Sequence, residues 1–251
     1  DDVKIVNLSF GIKWDRLGYT IIKLAEQGKL IVIAAGNSGK ALNHPTLIRL
    51  LADPRINNRV VLVGATERIP REKLASYSNK STSAVDSAFI AVPGTNINSS
   101  VPYGTDRTGM KELSGTSMAA PIFAGAVARL MTEFNVSVDE ARQVLFDTAN
   151  NQNNWKYFTP HTGQGIMNFV AARNEFKKRA ETNLLSPASI VSLNQSAAGL
   201  KKNKGQVNIN TGKQGFNIIV KTGAAMTDTV YKLGKKTVNR VMPARSGTSH
   251  S

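Results

Sequence analysis

The chain reads as an α/β protein with a buried, mostly parallel sheet and a small β-rich appendage at its C-terminal end. Three observations predict this. Leu30–Ala35 (LIVIAA) and Val60–Gly64 (VVLVG) are uninterrupted apolar runs, the mark of strands buried on both faces of a parallel sheet. Leu17, Ile21, Leu24 and Ala25 recur at helical spacing ahead of the first run and Gly28 closes them, which makes a strand, helix, strand unit. From Ser117 to about Phe134 a wide apolar face, interleaved with Ala119, Ala120, Ala124, Gly125 and Ala128, predicts a long helix that other elements approach closely.

The elements follow in order. Lys4–Phe10 (KIVNLSF) has the β-branched density of a buried strand, and it starts without a turn or cap, so the N-terminal part of the fold is expected to lie outside this chain. Leu30–Ala35 runs out at Gly36-Asn37-Ser38-Gly39, a loop signal. A short helix is expected after Pro45, then the strand Val60–Gly64, a polar stretch, and a further strand at Ala88–Val92 stopped by Pro93-Gly94. Residues 96–112, rich in Gly, Ser, Thr and Asn, read as a loop leading to Leu113-Ser114-Gly115-Thr116-Ser117. Ser137-Val138-Asp139-Glu140 is a capping box for the next helix, through roughly Ala149. Gly163-Gln164-Gly165-Ile166-Met167-Asn168 leads to a last helix, highly charged from Glu175 to Glu181.

After Pro187 the texture changes. Gln206–Thr211 alternates strictly and Phe216–Lys221 is a second strand candidate across a turn at 212–215, while the last residues, from Pro243 onward, look frayed. The expected division is therefore 1–180 for the α/β domain and 181–251 for a basic, β-rich extension. That extension holds ten basic and only two acidic residues, which gives it +8 of the chain's net charge of +15. Such a bias attracts anionic surfaces in a general way. The lysines are interleaved with Gly, Thr and Asn and only two aromatics accompany them, which argues against specific nucleic-acid recognition.

The absence of cysteine excludes disulfides, a thiolate nucleophile and Cys-ligated zinc. No run approaches the length of apolar sequence that a membrane-spanning helix needs. The first residues lack the basic start and long apolar stretch of a signal peptide, which says little if the chain begins inside a domain.

Two residues invite a chemical reading. A serine at the mouth of a buried helix, such as Ser117, sits at the positive end of the helix dipole among N–H groups without helical partners. Gly115 ahead of it permits close approach of another backbone. A hydroxyl so placed can attack a carbonyl whose developing oxyanion is stabilised on the spot, although on local features alone a simple helix N-cap at Thr116 or Ser117 is the leading reading. Asn37 follows a buried strand that ends in small residues, so its carboxamide either points into a cleft or belongs to an ordinary Asn-Ser-Gly turn.

Leu113-Ser114-Gly115-Thr116-Ser117-Met118-Ala119-Ala120-Pro121 resembles the nucleophile signature of the subtilisin-like serine proteases. Val6-Asn7-Leu8-Ser9-Phe10-Gly11, Ile33-Ala34-Ala35-Gly36-Asn37-Ser38-Gly39, Val61–Ala65 with Leu74-Ala75-Ser76-Tyr77-Ser78, Val92-Pro93-Gly94 and the segment from Gly163 resemble further segments of that family, in order, over residues 1 to about 175. The resemblance implies a three-layer subtilisin-like fold and a secreted or cell-surface serine endopeptidase. It also implies roles: Ser117 as nucleophile, Asn37 as oxyanion donor, Ser9, Phe10 and Gly11 as a strand that pairs with an extended polypeptide substrate, and Ala34, Ala35 and Gly36 as one wall of a side-chain pocket.

Two departures from the family pattern stand out. Ile122 follows Pro121 where the family usually has a histidine that is not the catalytic base. More importantly, the triad Asp and His lie upstream in the family, and their flanking motifs are nowhere in this chain. His44, His161 and His250 sit in loops, at a helix start or near the chain end, and read as surface residues. An upstream segment or companion chain is therefore expected to bring the Asp and His; the other reading is a catalytically inactive shell that serves as a binding or structural module. Calcium is common in that family, but no acidic cluster has a readable oxygen-ligand spacing, so no metal ligand is assigned and structural calcium stands only as an implication of the resemblance.

Overall fold

The computed structural model describes residues 2–56, 58–67, 73–101, 109–151, 159–184, 206–212, 215–222 and 227–233. By contacts the chain divides into two compact units, residues 1–177 and 178–251.

The first unit is built on four parallel strands, β1 (Ile5–Leu8), β2 (Leu30–Ala34), β3 (Val60–Thr66) and β4 (Phe89–Pro93), in the order β1-β2-β3-β4. Registers such as Leu8 opposite Ile33 and Ile33 opposite Leu62 bring the carboxyl ends of these strands to one side of the sheet. The apolar runs of β2 and β3 are buried throughout because both faces are covered. Leu30, Val32, Ala34, Val61, Val63 and Ala65 face one core, while Ile31, Ile33, Val60 and Leu62 face the other. The first core is completed by α3 (Thr116–Phe134), α4 (Val138–Asp147) and the start of α5 (Phe169–Leu184). The second is completed by α1 (Trp14–Glu26) and α2 (Pro45–Leu51). This is the three-layer α/β arrangement that the family resemblance implies, and the apolar runs are its buried parallel strands.

Local signals explain the ends of the helices. Gly28 takes a φ of +75° past the end of α1. His44 caps α2, its Nδ1 accepting from Thr46 N, with Pro45 in the first turn. Ser137 and Glu140 form the reciprocal capping box of α4. Asn135, at φ +52°, ends α3 in the left-handed conformation.

Two expectations need correction. Residues 96–112 are not all loop: β5 (Ile97–Ser100) pairs antiparallel with β6 (Met110–Leu113). The hairpin is largely exposed, so no buried face writes an alternating pattern into its sequence. The cap of α3 is not a side chain of Thr116 or Ser117: Gly115 is the N-cap residue and Thr116 is already helical. In the second unit β7 (Gln206–Gly212), β8 (Gly215–Thr222) and β9 (Thr227–Leu233) form an antiparallel sheet in that order, with one strand more than the alternation suggests. The frayed end from Pro243 and His250 lie outside the described residues.

Candidate active site

Asn37 sits in the loop that leaves the carboxyl end of β2, and Ser117 is the second residue of α3. Some eighty residues separate them in sequence, yet their surroundings interlock. The Thr116 N–H donates to Asn37 Oδ1 at 2.9 Å, and the Thr116 hydroxyl donates to the same oxygen at 2.9 Å. The Thr116 hydroxyl in turn accepts from the Gly36 N–H at 3.1 Å. A backbone N–H only donates, so the carboxamide atom facing it must be the oxygen. Asn37 Nδ2 is therefore turned the other way, and it lies 3.2 Å from the place where a Cβ on Gly115 would stand. A side chain at residue 115 would crowd the carboxamide, which accounts for glycine there.

The mouth of α3 is fixed by a second contact. The Gly115 N–H donates to the Gly94 carbonyl at 2.8 Å, and a Cβ on Gly94 would come within 2.9 Å of the Gly115 carbonyl oxygen. Pro93-Gly94, at the end of β4, is thus the ledge against which the start of α3 rests. In the first turn of α3 the Met118 and Ala119 N–H groups donate to the Gly115 carbonyl and the Thr116 N–H to Asn37. Among the described residues no hydrogen bond engages the Ser117 N–H, as expected of a position in the first helical turn. Ser117 is half-buried and Asn37 is exposed, so both are open to solvent.

The other sequence-predicted residues gather at the same end of the sheet. Ser9, Phe10 and Gly11 continue beyond β1, while Ala34 ends β2, its parallel neighbour, and Ala35 and Gly36 follow it. In open α/β sheets, ligands sit beyond the carboxyl ends of the strands. Phe10 is 53% exposed and Gly11 has open space around it, whereas Ala34 and Ala35 are buried. Ser9 accepts from Asn7 Nδ2 at 2.9 Å. Gly36 adopts a φ of +101°, which a side chain would strain.

Neither described histidine approaches this cluster by hydrogen bonding. His44 Nδ1 is spent on capping α2, and His161 is exposed in a 3-10 turn, its carbonyl accepting from Ser81 N. Among the described residues no group of three or more His, Cys, Asp or Glu side chains is arranged to hold a metal ion.

The family model decides the affiliation: residues 1–166 match that of the subtilase family, peptidase S8. This chain is a subtilase. It is 30% identical to subtilisin DY of Bacillus licheniformis over 67% of this chain and 56% of that protein. It is 32% identical to the minor extracellular protease Epr of Bacillus subtilis over 70% of this chain and 26% of that protein. The chain thus spans little more than half of the first relative and about a quarter of the second. Among solved structures it superposes on the patellamide maturation protease PatA with a TM-score of 0.54 at 25% identity, covering 70% of this chain and 64% of that one.

The sequence reading singled out Ser117 and Asn37 but missed what orients them. Thr116 appeared only as a candidate cap, and Asn79, which braces the Asn37 loop, not at all. Thr116 carried a usable signal, being the one hydroxyl between an obligatory glycine and the serine of the motif. Asn79 carried none, because its partners lie some forty residues upstream.

Proposed function

We propose that this subtilase chain carries the nucleophile and the oxyanion stabilisation of a serine endopeptidase. It would be the nucleophile-bearing C-terminal portion of the catalytic domain, with Asp and His supplied by an upstream segment or a companion chain. The observation that carries the reading is the carboxamide of Asn37. Its oxygen is occupied by Thr116, and its Nδ2 lies 3.2 Å from where a Cβ on Gly115 would stand, two residues before Ser117, whose backbone N–H has no hydrogen bond among the described residues.

The chemistry then runs as follows. An extended polypeptide pairs with the Ser9–Gly11 backbone by strand addition, and Ala34, Ala35 and Gly36 flank the side chain that precedes the scissile bond. Ser117 Oγ attacks the scissile carbonyl while its proton passes to the histidine from the partner segment. The carbonyl oxygen becomes an anion and accepts from the Ser117 N–H and from Asn37 Nδ2. Return of the proton to the departing amine leaves an acyl-enzyme on Ser117, which water hydrolyses by the same route.

The edge of the sheet supports the need for a partner segment. β1 pairs with β2 on one side, and among the described residues no strand pairs with the other. Ile5, Val6 and Leu8 are only half-buried, in contrast to the fully buried β2 and β3. An apolar parallel strand left in this state calls for a further strand beside it. Secretion or display at the cell surface is the accompanying proposal, supported by the name of the extracellular relative, and fractionation of a tagged protein reads it directly.

The test is labelling of the assembled protein, this chain together with the segment bearing Asp and His, by a fluorophosphonate. Labelling at Ser117 that disappears in Ser117→Ala supports the protease. An assembly with an accessible site that takes no label favours the inactive shell.

A further inference from the structure

The loop carrying Asn37 has no regular secondary structure, and residues 36–40 are largely exposed. A catalytic donor needs to be held to within about half an ångström. Asn37's own contacts fix the rotation of its carboxamide and leave open what holds the backbone beneath it. The answer lies across the loop, in Asn79, which follows the Leu74–Ser78 turn.

Asn79 spans the loop from one side to the other. Its Oδ1 accepts from the Ser38 N–H and the Lys40 N–H, each at 3.1 Å. Its Nδ2 donates to the Ala35 carbonyl at 2.8 Å, and its own N–H donates to the Gly36 carbonyl at 2.8 Å. These four bonds engage the residues on both sides of Asn37 while leaving Asn37 untouched. The carboxamide orientation is forced, because two N–H donors face one end and a carbonyl faces the other. Close approach completes the clamp: a Cβ on Gly36 would stand 2.5 Å from Asn79 Nδ2. Asn79 is itself anchored in the core, where its carbonyl accepts from the Ser78 hydroxyl at 3.0 Å and that buried hydroxyl accepts from the Ala65 N–H of β3 at 3.0 Å.

We infer that Asn79 is a positioning residue for oxyanion stabilisation, holding the 36–40 loop so that Asn37 faces Ser117. The inference rests on the protease reading above. Asn79 touches neither substrate nor reacting atoms; its effect on the oxyanion passes through Asn37, and that makes this part of its role separable both from folding and from its hold on Ala35 and Gly36.

The test is a double-mutant cycle in the assembled protease, with a fluorogenic peptide as substrate. Asn79→Ala is expected to lower kcat by about tenfold to a hundredfold with KM changed by less than about twofold, since ground-state binding does not use the oxyanion donor. In an Asn37→Ala background the same substitution is expected to change kcat by less than about twofold, because the group it positions is already gone. Asn79→Asp keeps an acceptor opposite Ser38 and Lys40 but sets a carboxylate oxygen against the Ala35 carbonyl, so it too is expected to lower kcat with KM little changed. It also serves where the alanine variant does not fold. An equal loss in both backgrounds, or no loss of kcat in an active wild-type background, overturns the inference and leaves the protease reading standing. A wild-type assembly that neither hydrolyses the peptide nor takes the fluorophosphonate overturns the protease reading first.

Discussion

Thr116→Val is the sharpest probe of how the site is organised, because valine keeps the shape of threonine and removes one oxygen. Thr116 is fully buried. Its hydroxyl does two jobs, accepting from the Gly36 N–H at 3.1 Å and donating to Asn37 Oδ1 at 2.9 Å. With a methyl group in its place the Gly36 N–H loses its partner in a half-buried setting, which costs about 1–3 kcal/mol. Asn37 Oδ1 keeps the Thr116 N–H, so its carboxamide is loosened and not released. The expected loss of stability is about 2 kcal/mol, a fall in Tm of roughly 4–8 °C for a domain of this size. Complete removal of the oxyanion carboxamide costs about 3 kcal/mol, a figure known from subtilisin itself. A loosened carboxamide is therefore expected to lower kcat by about tenfold. Thermal unfolding by circular dichroism and steady-state hydrolysis of a peptide by the assembled protease read the two effects. A Tm within about 1 °C of wild type together with kcat within about twofold would refute the claim that this hydroxyl organises the site.

Further predictions concern the site and its support. Asn37→Ala is expected to lower kcat by about a hundredfold to a thousandfold with little change in KM, and equal losses in kcat and binding would contradict its assigned role. Glu133 on α3 accepts from Arg173 Nε on α5 at 2.6 Å, and Arg129 lies 3.3 Å from its other oxygen. The hydrogen bond from Arg173, followed by that from Arg129, holds the Glu133 carboxyl below its ordinary value. A carboxyl lowered in the folded state adds stability above its unfolded pKa and loses it as pH falls through the folded one. Glu133→Gln should thus cost about 0.5–1 kcal/mol near neutrality, with the difference from wild type fading below about pH 4; an undiminished difference at pH 3 counts against the pairing. Arg142 is 5% exposed, its guanidinium 3.9 Å from the Phe146 ring centroid; Nη1 and Nη2 donate to Gln143 Oε1 and the Ser87 carbonyl at 3.2 Å each, while Nε has no hydrogen-bond partner among the described residues. Burial pushes this guanidinium down to about 10, against the pull of Asp139 and Asp147, so below that pH the buried cation costs stability. Arg142→Met is accordingly expected to be neutral or stabilising by up to about 2 kcal/mol at pH 7, and a loss of that size in chemical denaturation would show the cation to be better paired than its geometry indicates.

Where a buried face constrains the sequence, the fold is legible in it. β2 and β3 read as strands because both of their faces are covered, and the alternation of Leu30, Val32 and Ala34 with Ile31 and Ile33 between two cores is the physical content of that reading. The capping box of α4 is legible because Ser137 and Glu140 satisfy each other locally. The β5–β6 hairpin escapes notice because its residues are mostly exposed and carry no apolar alternation. The proposed reactive pair, Ser117 and Asn37, is legible through the motifs that hold them. Their supports are not: the Thr116 hydroxyl looks like a helix cap until the loop after β2 is folded against it, and Asn79 is one polar residue in a polar turn until it closes on Ala35, Ser38 and Lys40. Long-range polar contacts leave no periodic trace in a sequence, and that is where the sequence reading stops.

The most direct measurement is a crystal structure of the assembled protein after reaction with a peptidyl phosphonate. The prediction is a covalent bond from phosphorus to Ser117 Oγ, with one phosphonyl oxygen at about 2.7–3.1 Å from both the Ser117 nitrogen and Asn37 Nδ2. An adduct whose oxygens point away from Asn37, or attachment to any other residue, would contradict it.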